Sequence, residues 1–105
     1  MKKVINGKIY NTDTAIEITY HSYSNYSDFN YLCETLYKTQ KGNYFLHGEG
    51  GAASKYAEYI SQGTRSGSSV IISMTSVEAL TWVEENFEDT PECIFTEFSD
   101  LLESA

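Results

Sequence analysis

Apolar and polar residues alternate with a period of two through much of the first half of the chain, and the period lengthens to about 3.6 after Met74. Strands are therefore expected early and helices late. Val4-Ile5 and Lys8-Ile9-Tyr10 flank Asn6-Gly7, the pair that best tolerates the positive φ angles of a two-residue hairpin turn. Asn11-Thr12-Asp13-Thr14 reads as a turn or helix cap. Ile16, Ile18 and Tyr20 alternate with Glu17, Thr19 and His21, which predicts a strand with one buried face, although a short helix from Thr14 also fits. Residues 21–31 form an irregular segment rich in tyrosine, whose rings can be buried while the hydroxyls stay wet.

A second hairpin is predicted from 34–39 and 43–47, joined by Gln40-Lys41-Gly42 with glycine at the left-handed position. Gly48-Glu49-Gly50-Gly51 ends its second strand in this reading. Ala52 to Ile60 then reads as a short helix, and 61–69 as a polar loop. Residues 70–74 are expected to be a strand. Thr75-Ser76-Val77-Glu78 has the form of a capping box and opens a helix over 77–87 that buries Ala79, Leu80, Val83 and Phe87, with Trp82 at the border. Thr90 as cap and Pro91 in the first turn start a separate helix over 91–102, with Ile94, Phe95, Phe98, Leu101 and Leu102 inward. The order implies one α+β domain over 1–105: a small, mostly antiparallel sheet with two C-terminal helices packed on one face.

Charge changes this picture, because it is unevenly placed. The net charge is −8, yet residues 1–65 carry all seven Lys and Arg against six acids, and 66–105 carry nine acids and no base. The acidic half disfavours direct docking on a nucleic-acid backbone and suits a basic protein surface, or serves only solubility. Within it, Glu84, Glu85, Glu88, Asp89 and Glu92 fall in nine residues around the turn between the two helices, the expected partner-binding residues. The longest uninterrupted apolar stretch, Val70-Ile71-Ile72, is too short to cross a bilayer, and no export signal is read at Met1-Lys2-Lys3. A cytoplasmic protein with no membrane partner is expected.

Three chemistries compete with this binding role. His21, Cys33, His47 and Cys93 are residue types that zinc prefers, but none lies in a close-spaced pair, so free thiols and no metal or other cofactor are expected. The glycines from Gly48 to Gly51 lack the Lys and Ser/Thr of a phosphate-binding loop. Cys33 as nucleophile near His47 and a glutamate is imaginable, but the sequence places no base beside a nucleophile, so no enzyme is expected. A small metal-binding protein or hydrolase using Cys33 and His47 stands as the alternative.

The stretch Ile5-Asn6-Gly7-Lys8-Ile9-Tyr10-Asn11-Thr12-Asp13-Thr14-Ala15, the stretch from Glu34 to Gly51 and the helix start from Thr75 to Trp82 resemble small domains encoded by phages and conjugative elements of Gram-positive bacteria. By setting and acidic character the chain is similar to anti-CRISPR proteins, which occupy basic nucleic-acid grooves of Cas effectors. The resemblance implies a non-enzymatic inhibitor acting in the bacterial host cell on a nucleic-acid-handling protein such as a Cas nuclease. It carries no functional residue. A mobile-element accessory domain is the further alternative.

Overall fold

The computed structural model describes residues 1–23, 31–50, 58–61, 64–66 and 68–104. Lys2–Ile5 (β1) and Lys8–Asn11 (β2) form a hairpin, with Asn6 at φ 51° and Gly7 at φ 77°. These are the two positive angles that the turn requires. Asn11 then folds the chain back, its side-chain carbonyl accepting from the Asp13 N–H at 3.0 Å. The main sheet has the order β3-β4-β5-β8, all antiparallel, from Ile16–Tyr23 (β3), Leu32–Lys38 (β4), Tyr44–Gly50 (β5) and Ser68–Met74 (β8). Ser76–Asn86 (α1) and Glu92–Glu97 (α2) follow, and a 3₁₀ turn covers Ser99–Leu101. The α+β class with antiparallel sheets and two short C-terminal helices is the one the periodicity implied.

The sheet separates two apolar clusters. On one face Leu36, Tyr44 and Leu46 meet Ala79, Trp82 and Val83 of α1, Ile94 of α2 and Phe98. On the other, Phe45 and Ile71 meet Tyr10 of the N-terminal hairpin, with Ile5, Ala15 and Tyr37 packed around them. Thus β4 and β5, in the middle of the sheet, are covered on both sides, and Leu36 and Phe45 are both fully buried. The sequence reading assigned helices to one face. The hairpin covering the opposite face was not foreseen.

Five local expectations are corrected. In β3 the register shifts between Glu17 and Thr19, leaving Ile18 as the extra residue of a bulge. A one-residue insertion reverses which side chains face inward. Ile18 packs on the helix-side core, but Ile16 and Tyr20 are 57% and 58% exposed, and His21 lies edge-on to Phe87. The expected inward set of Ile16, Ile18 and Tyr20 therefore holds at Ile18 alone.

The strand expected to stop at Gly48 runs on to Gly50. Gly48 and Gly50 continue β5, paired with Val70 and Ser68, and Gly48 is buried. The helix expected from Ala52 to Ile60 is strand at its described end, where Glu58–Ser61 (β6) pairs with Thr64–Ser66 (β7) inside the stretch read as a loop. Residues 51–57 of that expectation, and 24–30 of the tyrosine-rich segment, lie outside the described residues.

The last helix is also shorter than its apolar stripe suggested. Pro91 is its N-cap, Thr90 is exposed, and α2 spans six residues before Phe98 leaves helical geometry. Ile94 and Phe98 are buried, but Phe95, Leu101 and Leu102 are exposed. A six-residue helix turns less than two full turns, so one narrow face meets the core and the remaining apolar side chains have nothing beneath them.

The capping box at α1 forms as read. The Thr75 hydroxyl accepts from the Glu78 N–H at 3.1 Å, and the Glu78 carboxylate accepts from the Thr75 N–H at 2.9 Å. Thr75 is the single residue between β8 and α1.

Candidate functional site

The corner between α1 and α2 is built from buried anchors that hold acids outward. The Asn86 side chain donates to the Trp82 carbonyl at 2.8 Å, closing the last turn of α1. Phe87 then turns extended, at φ −126° and ψ 129°, and lies edge-on to Trp82, with ring centroids 6.1 Å apart. After the short connection Ile94 re-enters the core, its N–H donating to the Pro91 carbonyl. Between these anchors Glu84, Glu85, Glu88, Asp89 and Glu92 are all exposed. None of them forms an ion pair among the described residues, and α1 has no base in its last turn.

That arrangement opposes stability twice. Like charges crowd one another, and Glu84 and Glu85 stand at the negative end of the α1 dipole, where an acid costs about 0.3–1 kcal/mol. Beside them lies a groove of about 430 Å³ between Glu84 and Glu103, floored by Ile94, Phe95 and Leu102. Phe95 is 56% exposed. Of the five clustered acids Glu84 lines this apolar groove, together with Glu103. The acids are legible in the sequence, but the periodicity places Phe95 and Leu102 in the core, because it does not show that α2 ends after six residues.

The thiols and imidazoles separate by sheet face. His21 packs against Phe87 on the helix side, and Cys93 lies in α2. Cys33 and His47 share the hairpin side, where Cys33 is opposite Glu49 and His47 is opposite Thr35. Both cysteines are free and half-buried. Among the described residues no group of three or more His, Cys, Asp or Glu gathers as metal ligands. Burial lowers the pKa of His47, and the terminal ammonium adds to this while Glu49 opposes it. Burial also raises the Cys93 thiol.

Two polar contacts through the helix-side core could not be read from the sequence, because their partners lie 48 and 53 residues apart. The Trp82 indole N–H donates to the buried Glu34 carboxylate at 3.3 Å. Glu97 accepts from the Tyr44 hydroxyl at 2.7 Å and pairs with Lys38 at 2.6 Å, fastening α2 to β4 and β5. Burial works against the Glu97 charge, but the hydrogen bonds from Lys38 and Tyr44 outweigh it and hold the carboxyl below its ordinary value of 4.5. Burial, with the same carboxylate, pushes the Tyr44 phenol well up.

A carboxyl with a depressed folded-state pKa stabilises the fold above its unfolded value, and that contribution fades as pH falls through the folded value. Replacing Glu97 with glutamine is therefore expected to cost about 1–2 kcal/mol near neutrality. The gap between the two proteins should narrow as pH drops below about 4.5. Urea midpoints of both proteins across that range check this, and a constant gap would show that the charge is not what fastens α2.

Similarity does not narrow the function. No family model, curated protein or solved structure matches the chain. Among the described residues no helix is long and apolar enough to cross a membrane. Function is therefore argued from the site itself.

Proposed function

We propose that the chain is a non-enzymatic binding protein whose α1–α2 corner docks on a basic, nucleic-acid-binding surface of another protein. The observation that carries this reading is the exposed Phe95 and Leu102 groove rimmed by acids that have no counter-ion among the described residues. Interfaces commonly place an apolar anchor at the centre and charge at the rim, where charge governs approach and register. A solubilising face has no need of exposed phenylalanine at its centre. A basic groove that normally holds phosphates is the complementary partner, and the chain would compete there with nucleic acid. Together with the resemblance drawn from the sequence, this favours an inhibitor of a bacterial defence nuclease of the Cas type, acting in the host cytoplasm.

The test is to titrate the purified chain into a panel of Cas nucleases from Gram-positive bacteria, reading target cleavage and association rates. Replacing Glu84, Glu85 and Glu88 together with glutamine keeps side-chain size and removes charge. The variant should fold at least as stably as the wild type and associate more slowly, by roughly tenfold at low salt. The wild-type rate should fall as salt rises, since the screening length shortens to about 8 Å at physiological ionic strength. Equal association rates for the two proteins, unresponsive to salt, would reduce the acids to a solvated face.

A further inference from the structure

The hairpin side of the sheet carries a second concavity that the docking corner does not use. It is a cleft of about 500 Å³ between the β1–β2 turn and the β4–β5 turn, within the size range of small-molecule sites. Lys8, the first residue of β2, and Lys41, in the β4–β5 turn, both line it. Neither lysine is ion-paired among the described residues, and no acid lines the cleft. Asp13 lies near in sequence but is outside the lining. In a chain of net charge −8, two unpaired cations converging on one cleft free of acids are a local reversal of sign.

The remaining lining is neutral, with Asn11, Thr14, Thr39 and Asn43 contributing amides and hydroxyls beside apolar Ile9. The walls are fixed to each other. The Gln40 side chain donates to the Thr14 carbonyl at 3.3 Å, tying the β4–β5 turn to the segment between β2 and β3, and the Asn43 N–H donates to the Thr39 hydroxyl at 3.0 Å. Tyr10, also in the lining, is 6% exposed and held edge-on to Phe45, with centroids 5.4 Å apart. Gly7 and Gly42, next to the two lysines, have positive φ and nothing within 4 Å of where a side chain would begin. Of these two glycines, Gly7 lines the cleft.

We infer that this cleft binds a small phosphate-bearing anion, gripped between Lys8 and Lys41. Lysine serves phosphate as a point charge, and two lysines lining one cleft can both reach a diphosphate. The neutral donors would take the remaining oxygens. The ligand is either a free polyphosphate or a nucleotide whose other groups use the rest of the cleft.

The experiment is a titration of the isotopically labelled full chain with inorganic pyrophosphate and, separately, ADP, followed by amide chemical shifts. Saturable one-to-one shifts centred on Gly7, Lys8, Lys41 and Gly42 are expected. Tighter binding of ADP assigns a nucleotide, and equal binding assigns the phosphates alone. Replacing Lys8 and Lys41 with glutamine should weaken binding at least roughly tenfold, because both charge-assisted contacts are lost. Both side chains are exposed, Lys8 at the start of β2 and Lys41 in a turn, so the fold should persist, and amide spectra of the variant check that it does. Replacing Lys2 and Lys3 removes the same charge outside this cleft and should change affinity by less than about twofold at physiological salt. Absence of saturation with both anions, or equal weakening by the two double variants, would overturn the assignment.

Discussion

Replacing Phe45 with alanine is expected to lower the unfolding free energy by about 3–5 kcal/mol, the range for emptying a buried aromatic position. Phe45 is fully buried on β5, stacked on Tyr37 at 5.1 Å and edge-on to Tyr10 at 5.4 Å. The two ring contacts add to its area burial, so the cost should fall in the upper part of that range. The site has little means of collapsing, because its neighbours stand on two different layers, the sheet and the hairpin. A domain of this length has about 5–15 kcal/mol in all, so the variant would keep only a fraction of its stability. The melting temperature should fall by roughly 15–30 °C. Urea unfolding followed by far-ultraviolet circular dichroism gives the value. A loss below about 1 kcal/mol would mean that the hairpin does not pack on the sheet as described.

A comparable loss is expected on the helix side from Trp82 to alanine, about 4 kcal/mol. Two effects combine there. The indole, 7% exposed, fills the space between α1 and the sheet, and its N–H is a donor to the buried Glu34 carboxylate. Trp82 to phenylalanine separates them, since it keeps most of the ring volume and removes the donor. That variant should lose about 1–2 kcal/mol, the cost of leaving a buried acceptor one bond short. Trp82 is the only tryptophan in the chain, so its emission in the wild type reports the same environment. The emission should shift to the red together with the loss of circular dichroism as urea is added. If the phenylalanine and alanine variants are equally unstable, the hydrogen bond rather than the volume holds α1 in place.

What could be read from the sequence was local. The turn at Asn6-Gly7, the turn closed by Gly42 and the capping box at Thr75 each depend on residues within a few positions of one another, and each formed as expected. The failures share a different cause. The bulge at Ile18 leaves no mark in an apolar–polar alternation, so the reversal of Tyr20 and His21 was invisible. The glycines at 48 and 50 carry turn propensity, but pairing with β8 on one side and β4 on the other overrides it. The stripe from Ile94 to Leu102 looked like one helical face because period alone does not show where a helix stops. At the candidate site this left the acids legible and hid the exposed Phe95. The cleft at Lys8 and Lys41 could not be read at all, because 32 intervening residues separate lysines that only the packing of the hairpin on the sheet brings near one another.

The single-residue junction at Thr75 couples two unlike periodicities. A strand repeats every two residues and a helix every 3.6, so sliding β8 by one position would turn its side chains inside out and rotate α1 by about 100°. Ala79, Trp82 and Val83 would then swing off the sheet while Ile71 left the hairpin side. No intermediate setting satisfies both layers. The capping box thus acts as a phase lock: by fixing where the helix begins, it also fixes the register of a strand that, among the described residues, has a sheet neighbour on only one side.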